Sequence, residues 1–179
     1  NASVPGGAVA RTKVTTALVS TGDPWSYFTN GTTPPGWNLP GFDATGWSSG
    51  PSQLGWGARG EVTPIPSGQI TQYFVRHIQV ANPAQYSVLD LSVKRDDAIA
   101  VYVNGIEALR DNLPPGPLTA NTFPIAPTTA TDGVAWRTVR VSPQLLVAGD
   151  NVIAVEVHQA DINNGDAIFD LALVARGSI

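Results

Sequence analysis

The sequence predicts an all-β protein, an antiparallel β-sandwich or jelly roll carrying one short helix. Three observations predict it. Alternating or β-branched runs recur along the chain, clusters of turn residues separate them, and a single stretch carries helix start and stop signals.

The elements follow in order. "KVTTALVS" alternates through Lys13–Ser20 and reads as the first strand. Residues 22–66 carry Trp25, Trp37, Trp47 and Trp56, four of the five tryptophans, among Gly, Pro and Ser. Within this region "GTTPPGWNLPGFDATGWSSGPSQLGWG" is too proline-rich for a regular strand, because proline removes ladder donors. It is too aromatic for disorder. The expectation is a long ordered loop system packed over one end or edge of the sandwich. Strand-like runs then occur at Gln72–Val80, Tyr86–Val93, Ala98–Asn104, Val134–Val141, Val152–Gln159 and Ala167–Val174. "YVNGIEAL" predicts a hairpin with a type I′ turn at Asn104–Gly105. The helix candidate is Ser142–Val147, with Ser142 as cap, Pro143 in the first turn and Gly149 as stop.

Period-two phasing assigns faces. Ile153, Val155 and Val157 point inward, as do Phe169, Leu171 and Leu173. Glu156, His158 and Asp170 point outward. "NVIAVEVHQADINNGDAIFDLAL" therefore reads as two paired strands with the polar tip "ADINNGD", and three polar side chains on one face. Arg76, in phase with Phe74 and Ile78, falls on the core side and needs a carboxylate partner.

A chain of 179 residues is long enough for one domain with a real core. The net charge of −4 and the lack of a basic stripe argue against nucleic acid. No basic amphipathic stretch suggests a membrane surface, and no apolar run is long enough for a spanning helix. Without cysteine there are no disulfides and no thiolate chemistry. Eighteen glycines, 15 prolines and abundant threonine suit a turn-rich extracellular β-protein. The opening Asn1 reads as a processed or trimmed chain. Asn1 and Asn30 stand in Asn-x-Ser/Thr sequons.

The tryptophans Trp25, Trp37, Trp47 and Trp56 are candidate platforms for sugar rings, since apolar sugar faces dock on aromatic faces; the alternative is that they plug the core beneath the loops. Asp96 and Asp97, before a strand, fit turn chemistry or sugar hydroxyls. His158 lies on the polar outward face, and Asp161 in the following loop offers a carboxylate to a ligand. Asp161, Asn163 and Asp166 could together supply oxygens to calcium, although their spacing is not that of an EF-hand. A histidine with two carboxylates could run acid–base chemistry, but no Ser–His–Asp logic or metal signature accompanies Glu156, His158 and Asp170.

"GFDATGWSSGPSQLGWG", "ITQYFVRHIQV", "RDDAIAVYVNGIEALRDNLPPG", "LLVAGDNVIAVEVHQ" and "IFDLAL" form an ordered set. The set resembles the galactose-binding-domain-like jelly-roll modules of secreted bacterial proteins, and it is similar to the sugar-binding domain of family 2 glycoside hydrolases. The resemblance spans residues 22–175, leaving an N-terminal segment with the first strand (1–21) and a tail (176–179). It implies an eight- or nine-stranded sandwich without catalytic residues, binding glycan through end loops or a concave face and often holding structural calcium. Asp170 is the nearest match to the calcium-binding aspartate on the last strand of such modules. The acidic loop that follows "LGYG" in similar modules survives only as Glu61, in "LGWGARGEV".

The expected function is a non-catalytic, extracellular, bacterial carbohydrate-binding module. The alternative is a self-assembling subunit of a filament, sheath or surface matrix, with Lys13–Ser20 adding to the sheet edge of another copy.

Overall fold

The computed structural model describes residues 11–179. Twelve strands lie among them: β1 (Lys13–Val19), β2 (Pro24–Phe28), β3 (Ser48–Pro51), β4 (Leu54–Trp56), β5 (Thr63–Pro64), β6 (Thr71–Val80), β7 (Tyr86–Asp96), β8 (Ala98–Val103), β9 (Ile106–Asp111), β10 (Arg137–Val141), β11 (Gly149–His158) and β12 (Ala167–Ser178). The one α-helix, α1 (Ala130–Gly133), is a single turn. All the predicted strand runs are present.

The strands form two stacked sheets. One has the order β10-β7-β12, with β1 and β4 sharing the far edge of β12 and β5 parallel to β4. The other has the order β3-β2-β6-β11-β8-β9. Between them lies the main core, where inward residues interdigitate: Leu89, Leu91 and Val93 from β7, Ile153, Val155 and Val157 from β11, and Phe169, Leu171 and Leu173 from β12. Aromatic rings join the layers. Phe169 stacks on Phe74 with ring centroids 4.3 Å apart and takes the edge of Trp25 at 5.0 Å. Such pairs contribute about 0.5–1.5 kcal/mol each beyond their buried area.

The sequence 151–173 is not a hairpin. β11 is hydrogen-bonded to β6 and β8 in one sheet, whereas β12 pairs with β7, β1 and β4 in the other. Loop 159–166 crosses between the layers. Each strand is central in its own sheet, and period-two alternation assigns faces without saying which sheet a strand joins. Glu156 and His158 therefore lie on the outer face of one sheet and Asp170 on the outer face of the other.

The N-terminal segment also has its partner within the chain. Lys13–Val19 runs antiparallel to Leu173–Ser178 of β12, and Thr12 and Ile179 exchange backbone bonds of 2.8 and 2.9 Å. Lys13–Val19 is thus docked on its own sandwich. Residues 176–178, read as tail, extend β12. Residues 1–10, including the Asn1 sequon, lie outside the described residues.

The tryptophan-rich region is more regular than expected. It supplies β2 to β5, short strands toward the sheet margins whose prolines sit at strand ends. Only 29–47 is a long loop. The helix signals at Ser142 produce a 3-10 turn, Pro143–Leu145, in which the Ser142 hydroxyl accepts from the Gln144 amide at 3.2 Å. The α-helical turn comes earlier, where the Thr129 side chain caps the Asp132 amide. The β8–β9 hairpin turns as predicted: Asn104 and Gly105 have φ of 52° and 83°, the left-handed pair a type I′ turn requires. Arg76 is half-buried and meets Asp23 at 3.1 Å, the carboxylate its position demands.

Candidate functional site

The outer face of the β6–β11–β8 sheet is covered. Loops 29–47 and 112–128 lie over it and close a second apolar cluster of Trp37, Tyr73, Val75, Ala120, Val152 and Ala154. Trp37 takes the edges of Tyr73 and Tyr102, with centroids 4.8 and 5.6 Å away. Polar groups on this face are consequently buried and must find partners. The Tyr102 hydroxyl donates to Glu156 Oε1 at 2.7 Å. His158 Nε2 lies 3.1 Å from Glu156 Oε2. His158 Nδ1 donates to the Thr122 carbonyl at 2.7 Å and lies 3.0 Å from the Thr71 hydroxyl, which itself donates to the Ala120 carbonyl at 2.9 Å. Burial pushes the Tyr73 phenol up to about 12, and burial with the adjacent Glu156 raises Tyr102 too.

At the end of the sandwich where β7 stops and β8 starts, a second polar network is buried. Asp97 accepts from the Thr128 amide (2.7 Å), the Ala160 amide (2.8 Å) and the Asn164 side chain (2.9 Å). Asp96 accepts from the Thr128 hydroxyl. The Gln159 side chain donates to the Asp96 carbonyl at 2.8 Å and accepts from Asn164 at 2.8 Å. Gly133 of α1 sits against Asp96, where a Cβ would come within 2.7 Å of the carboxylate. Burial, aided by neighbouring Asp97, pushes the Asp96 carboxyl up to about 6 against the opposing Thr128 hydrogen bond. Beside it, buried Arg95 bonds Asp111 and Asp132, and Arg137 joins both.

These two networks fix the walls of a cleft of about 400 Å³ at the same end. Its lining is Ile70, Asn121, Phe123, Asp161 and Ile162. One wall, loop 119–123, is pinned through Ala120 and Thr122 to Thr71 and His158. The other, loop 160–164, is pinned through Ala160 and Asn164 to Asp97. The base is set by the Gln159 amide donating to the Ile70 carbonyl at 2.7 Å. Phe123 and Ile162 are 53% and 52% exposed, so the cleft presents an aromatic ring and an aliphatic side chain beside a carboxylate and a carboxamide. A smaller cleft of about 270 Å³ at the opposite end is lined by Pro83, Ala84, Tyr86, Pro143, Gln144 and Leu146, with no charged side chain.

Of the sugar-binding candidates, the structure brings only Asp161 into the larger cleft. Trp25 is 1% exposed and belongs to the main core, and Trp37 is buried under loop 29–47. Neither ring has a free face. Trp47 is half-buried between Phe28 and Phe42, with centroids 5.1 and 5.3 Å away. Trp56 is half-buried, and its indole donates to the Asn164 carbonyl at 3.0 Å, bracing the cleft wall. Asp96, Asp97 and His158 lie behind the walls as supports. Sequence reading missed Phe123 and Ile162. Their signal was an apolar residue inside a polar loop, "NTFP" and "ADIN". It also missed half-exposed Trp136, the one tryptophan outside the first third.

The calcium candidates are engaged in separate protein contacts. Asp161 accepts from the Asn163 amide at 2.7 Å, which leaves both in a local turn. Asp166 is paired with Arg59. Glu61 accepts from the Ala58 and Arg59 amides at 2.9 and 2.7 Å. Asp170, on the other sheet, accepts from Ser52 at 2.6 Å. Among the described residues no three histidines or acids converge at metal-binding range. No helix among them is long and apolar enough to cross a membrane.

No family model and no curated protein matches the sequence. Solved structures share its fold. A β-glucuronidase from Bacteroides uniformis superposes with a TM-score of 0.57 at 12% identity, covering 92% of this chain and 18% of the enzyme. A glycosyl hydrolase family 2 member from Bacteroides cellulosilyticus gives 0.57 at 12%, covering 90% and 20%. A β-glucuronidase from an uncultured Clostridium gives 0.53 at 11%, covering 99% and 31%. The chain spans less than a third of the length of these enzymes. At such identities the likeness is one of fold: this chain is built like a β-sandwich portion of larger glycoside hydrolases.

Proposed function

We propose that the chain is a non-catalytic carbohydrate-binding module whose ligand rests in the cleft between loops 119–123 and 160–164. The observation that carries the reading is the cleft itself: Phe123 and Ile162 offer apolar surface for a sugar face, and Asp161 and Asn121 flank it for hydroxyls. The walls are fixed by buried hydrogen bonds, which lowers the ordering cost of binding. Asp161 is the one charged group in the lining, so the cleft favours neutral over acidic sugars. The fold shared with glycoside hydrolases supports a carbohydrate context by analogy alone.

Three arrangements support the non-catalytic part. Glu156 and His158 are sealed beneath loop 119–123, Asp170 lies on the opposite sheet, and Asp96 and Asp97 spend their oxygens on Thr128, Ala160 and Asn164. The turn-rich composition, with 18 glycines, 15 prolines and abundant threonine, supports an extracellular setting.

A glycan array probed with the wild-type chain and with Phe123→Ala tests the proposal. The wild type is expected to retain neutral oligosaccharides, and the variant to lose them by about tenfold or more, the scale of one lost stacking contact with its buried area. Retention of no neutral glycan by the wild type would overturn the reading.

A further inference from the structure

The outer face of the β10–β7–β12 sheet is built differently from its counterpart. Among the described residues no loop cluster buries it, and side chains stand on it in rows across the strands. Thr138 opposes Ser92, and their hydroxyls lie 2.7 Å apart. One row toward the cleft end stand Lys94 and, just before β10, Trp136. The indole is 42% exposed, with the Lys94 ammonium 5.1 Å from its ring centroid. One row the other way Arg140 stands opposite Asp90, and Arg176 reaches the same carboxylate from the row beyond, at 3.7 and 2.7 Å.

The charges on this face are layered. The Arg140 and Arg176 side chains are 84% and 58% exposed, whereas that of Asp90, which they share, is 18% exposed. The second carboxylate of the face, Asp170, is buried and takes the Ser52 hydroxyl and the Leu171 amide. It stands opposite Lys94 in register but does not lie within ion-pair range of it. Lys94 makes no ion pair among the described residues. Its nearest oxygen partner is the neutral Gln53 side chain, at 3.5 Å. An ammonium has three donors, and this one is left with donors to spare beside an accessible aromatic ring. On a chain of net charge −4, the solvent thus meets cations on this face.

We infer that this open face is a second carbohydrate site, selective for acidic polysaccharide, in which Trp136 carries a sugar ring and Lys94 receives its carboxylate. Ser92 and Thr138 then lie in the path of the neighbouring ring's hydroxyls, and Arg140 and Arg176 offer a second carboxylate contact. Along a strand, four residues separate the Lys94 row from the Asp90 row, roughly 13–14 Å. The spread favours a polymer over a single sugar. Nucleic acid fits less well, since its affinity rests on many phosphate contacts and this face offers three cations and one ring. The inference shares with the proposed function the carbohydrate class of ligand, but it uses none of the cleft residues.

Affinity electrophoresis of the whole chain tests it, through gels containing polygalacturonate, alginate or hyaluronan and matched gels containing neutral galactan or dextran. An acidic polysaccharide is expected to retard the wild type, and Lys94→Met and Trp136→Ala each to weaken the retardation by about tenfold, as for loss of an ion contact or a ring contact. Lys94→Arg is expected to keep it, Phe123→Ala to leave it unchanged, and added salt to weaken it. The inference falls if none of the three acidic polymers retards the chain. It falls equally if Lys94→Met and Trp136→Ala migrate as wild type, or if single-stranded DNA retards the chain as strongly. Loss of neutral-glycan binding with acidic retardation intact would overturn the cleft reading and leave this site standing.

Discussion

His158 Nδ1 donates to the backbone carbonyl of Thr122 at 2.7 Å, tying the last residue of a central strand to the loop that carries Phe123. On its other side the ring meets Glu156 at 3.1 Å. Both partners are acceptors when Glu156 is ionised, and a neutral imidazole has one N–H. The ring thus bridges a backbone carbonyl and a carboxylate, inside a face that loops 29–47 and 112–128 cover.

Replacing His158 tests this tie. His158→Leu leaves the Glu156 carboxylate and the Thr122 carbonyl without their ring partner, and is expected to cost about 2–4 kcal/mol of stability. His158→Gln, which restores one donor, is expected to recover part of it. Urea unfolding of the two variants measures the difference, and neutral-glycan affinity is expected to fall with the loosened wall. Equal stability for wild type and the leucine variant would show that the ring does not hold the loop.

Asp96 gives the stability a pH dependence. Its folded pKa is raised to about 6, above the unfolded carboxylate value. The folded state therefore holds the proton more tightly between about pH 4 and 6. The stability from this proton is fully present below the unfolded pKa and is lost as pH rises through 6. Asp96→Asn keeps an acceptor for Thr128 and carries no charge. It is expected to stabilise the chain above pH 7 by about 1–3 kcal/mol, with the gain shrinking toward pH 4. Melting curves across that range, wild type against variant, check the sign; a gain that grows as pH falls would contradict it.

The tryptophans are expected to separate by role. Trp25 fills the core against Phe169, and Trp25→Ala is expected to cost about 3–5 kcal/mol. Trp136 lies on the surface, and Trp136→Ala is expected to stay within about 1 kcal/mol of wild type. Chemical denaturation ranks the two, and similar losses would refute the assignment of core and surface.

The β8–β9 turn is a local test. Gly105 has φ of 83°, which costs a side chain conformational energy, and its Cβ would come within 3.1 Å of Leu39. Gly105→Ala is expected to destabilise by about 1 kcal/mol, and Gly105→Val by more. Thermal melts measure both.

The strands were legible because each obeys period two with an apolar inner face: Ile153, Val155 and Val157 could not be placed otherwise. The pairing of those strands was not. β11 and β12 both alternate, the loop between them is polar, and nothing local in "QADINNGD" says that it crosses from one sheet to the other. The covering of the outer face was equally hidden. Alternation put Glu156 and His158 on the side away from the core without saying whether that side is open, and only the fold shows loop 119–123 lying over them. Composition left Trp25 and Trp37 open between platform and core plug, because a ring among glycines and prolines is as useful to a core as to a ligand. The cleft itself was not legible: Asp161 was singled out only as a loop carboxylate, while Phe123 and Ile162 were single apolar residues in polar loops, with no period to mark them.

The central claim is that the cleft between loops 119–123 and 160–164 holds a neutral glycan. Amide chemical shifts of the labelled wild-type chain, followed while the best-retained neutral oligosaccharide is titrated in, test it most directly. The account predicts saturable shifts concentrated at Ile70, Asn121–Phe123 and Asp161–Ile162. Shifts centred instead on the Pro83–Pro143 end, or none at all, would contradict it.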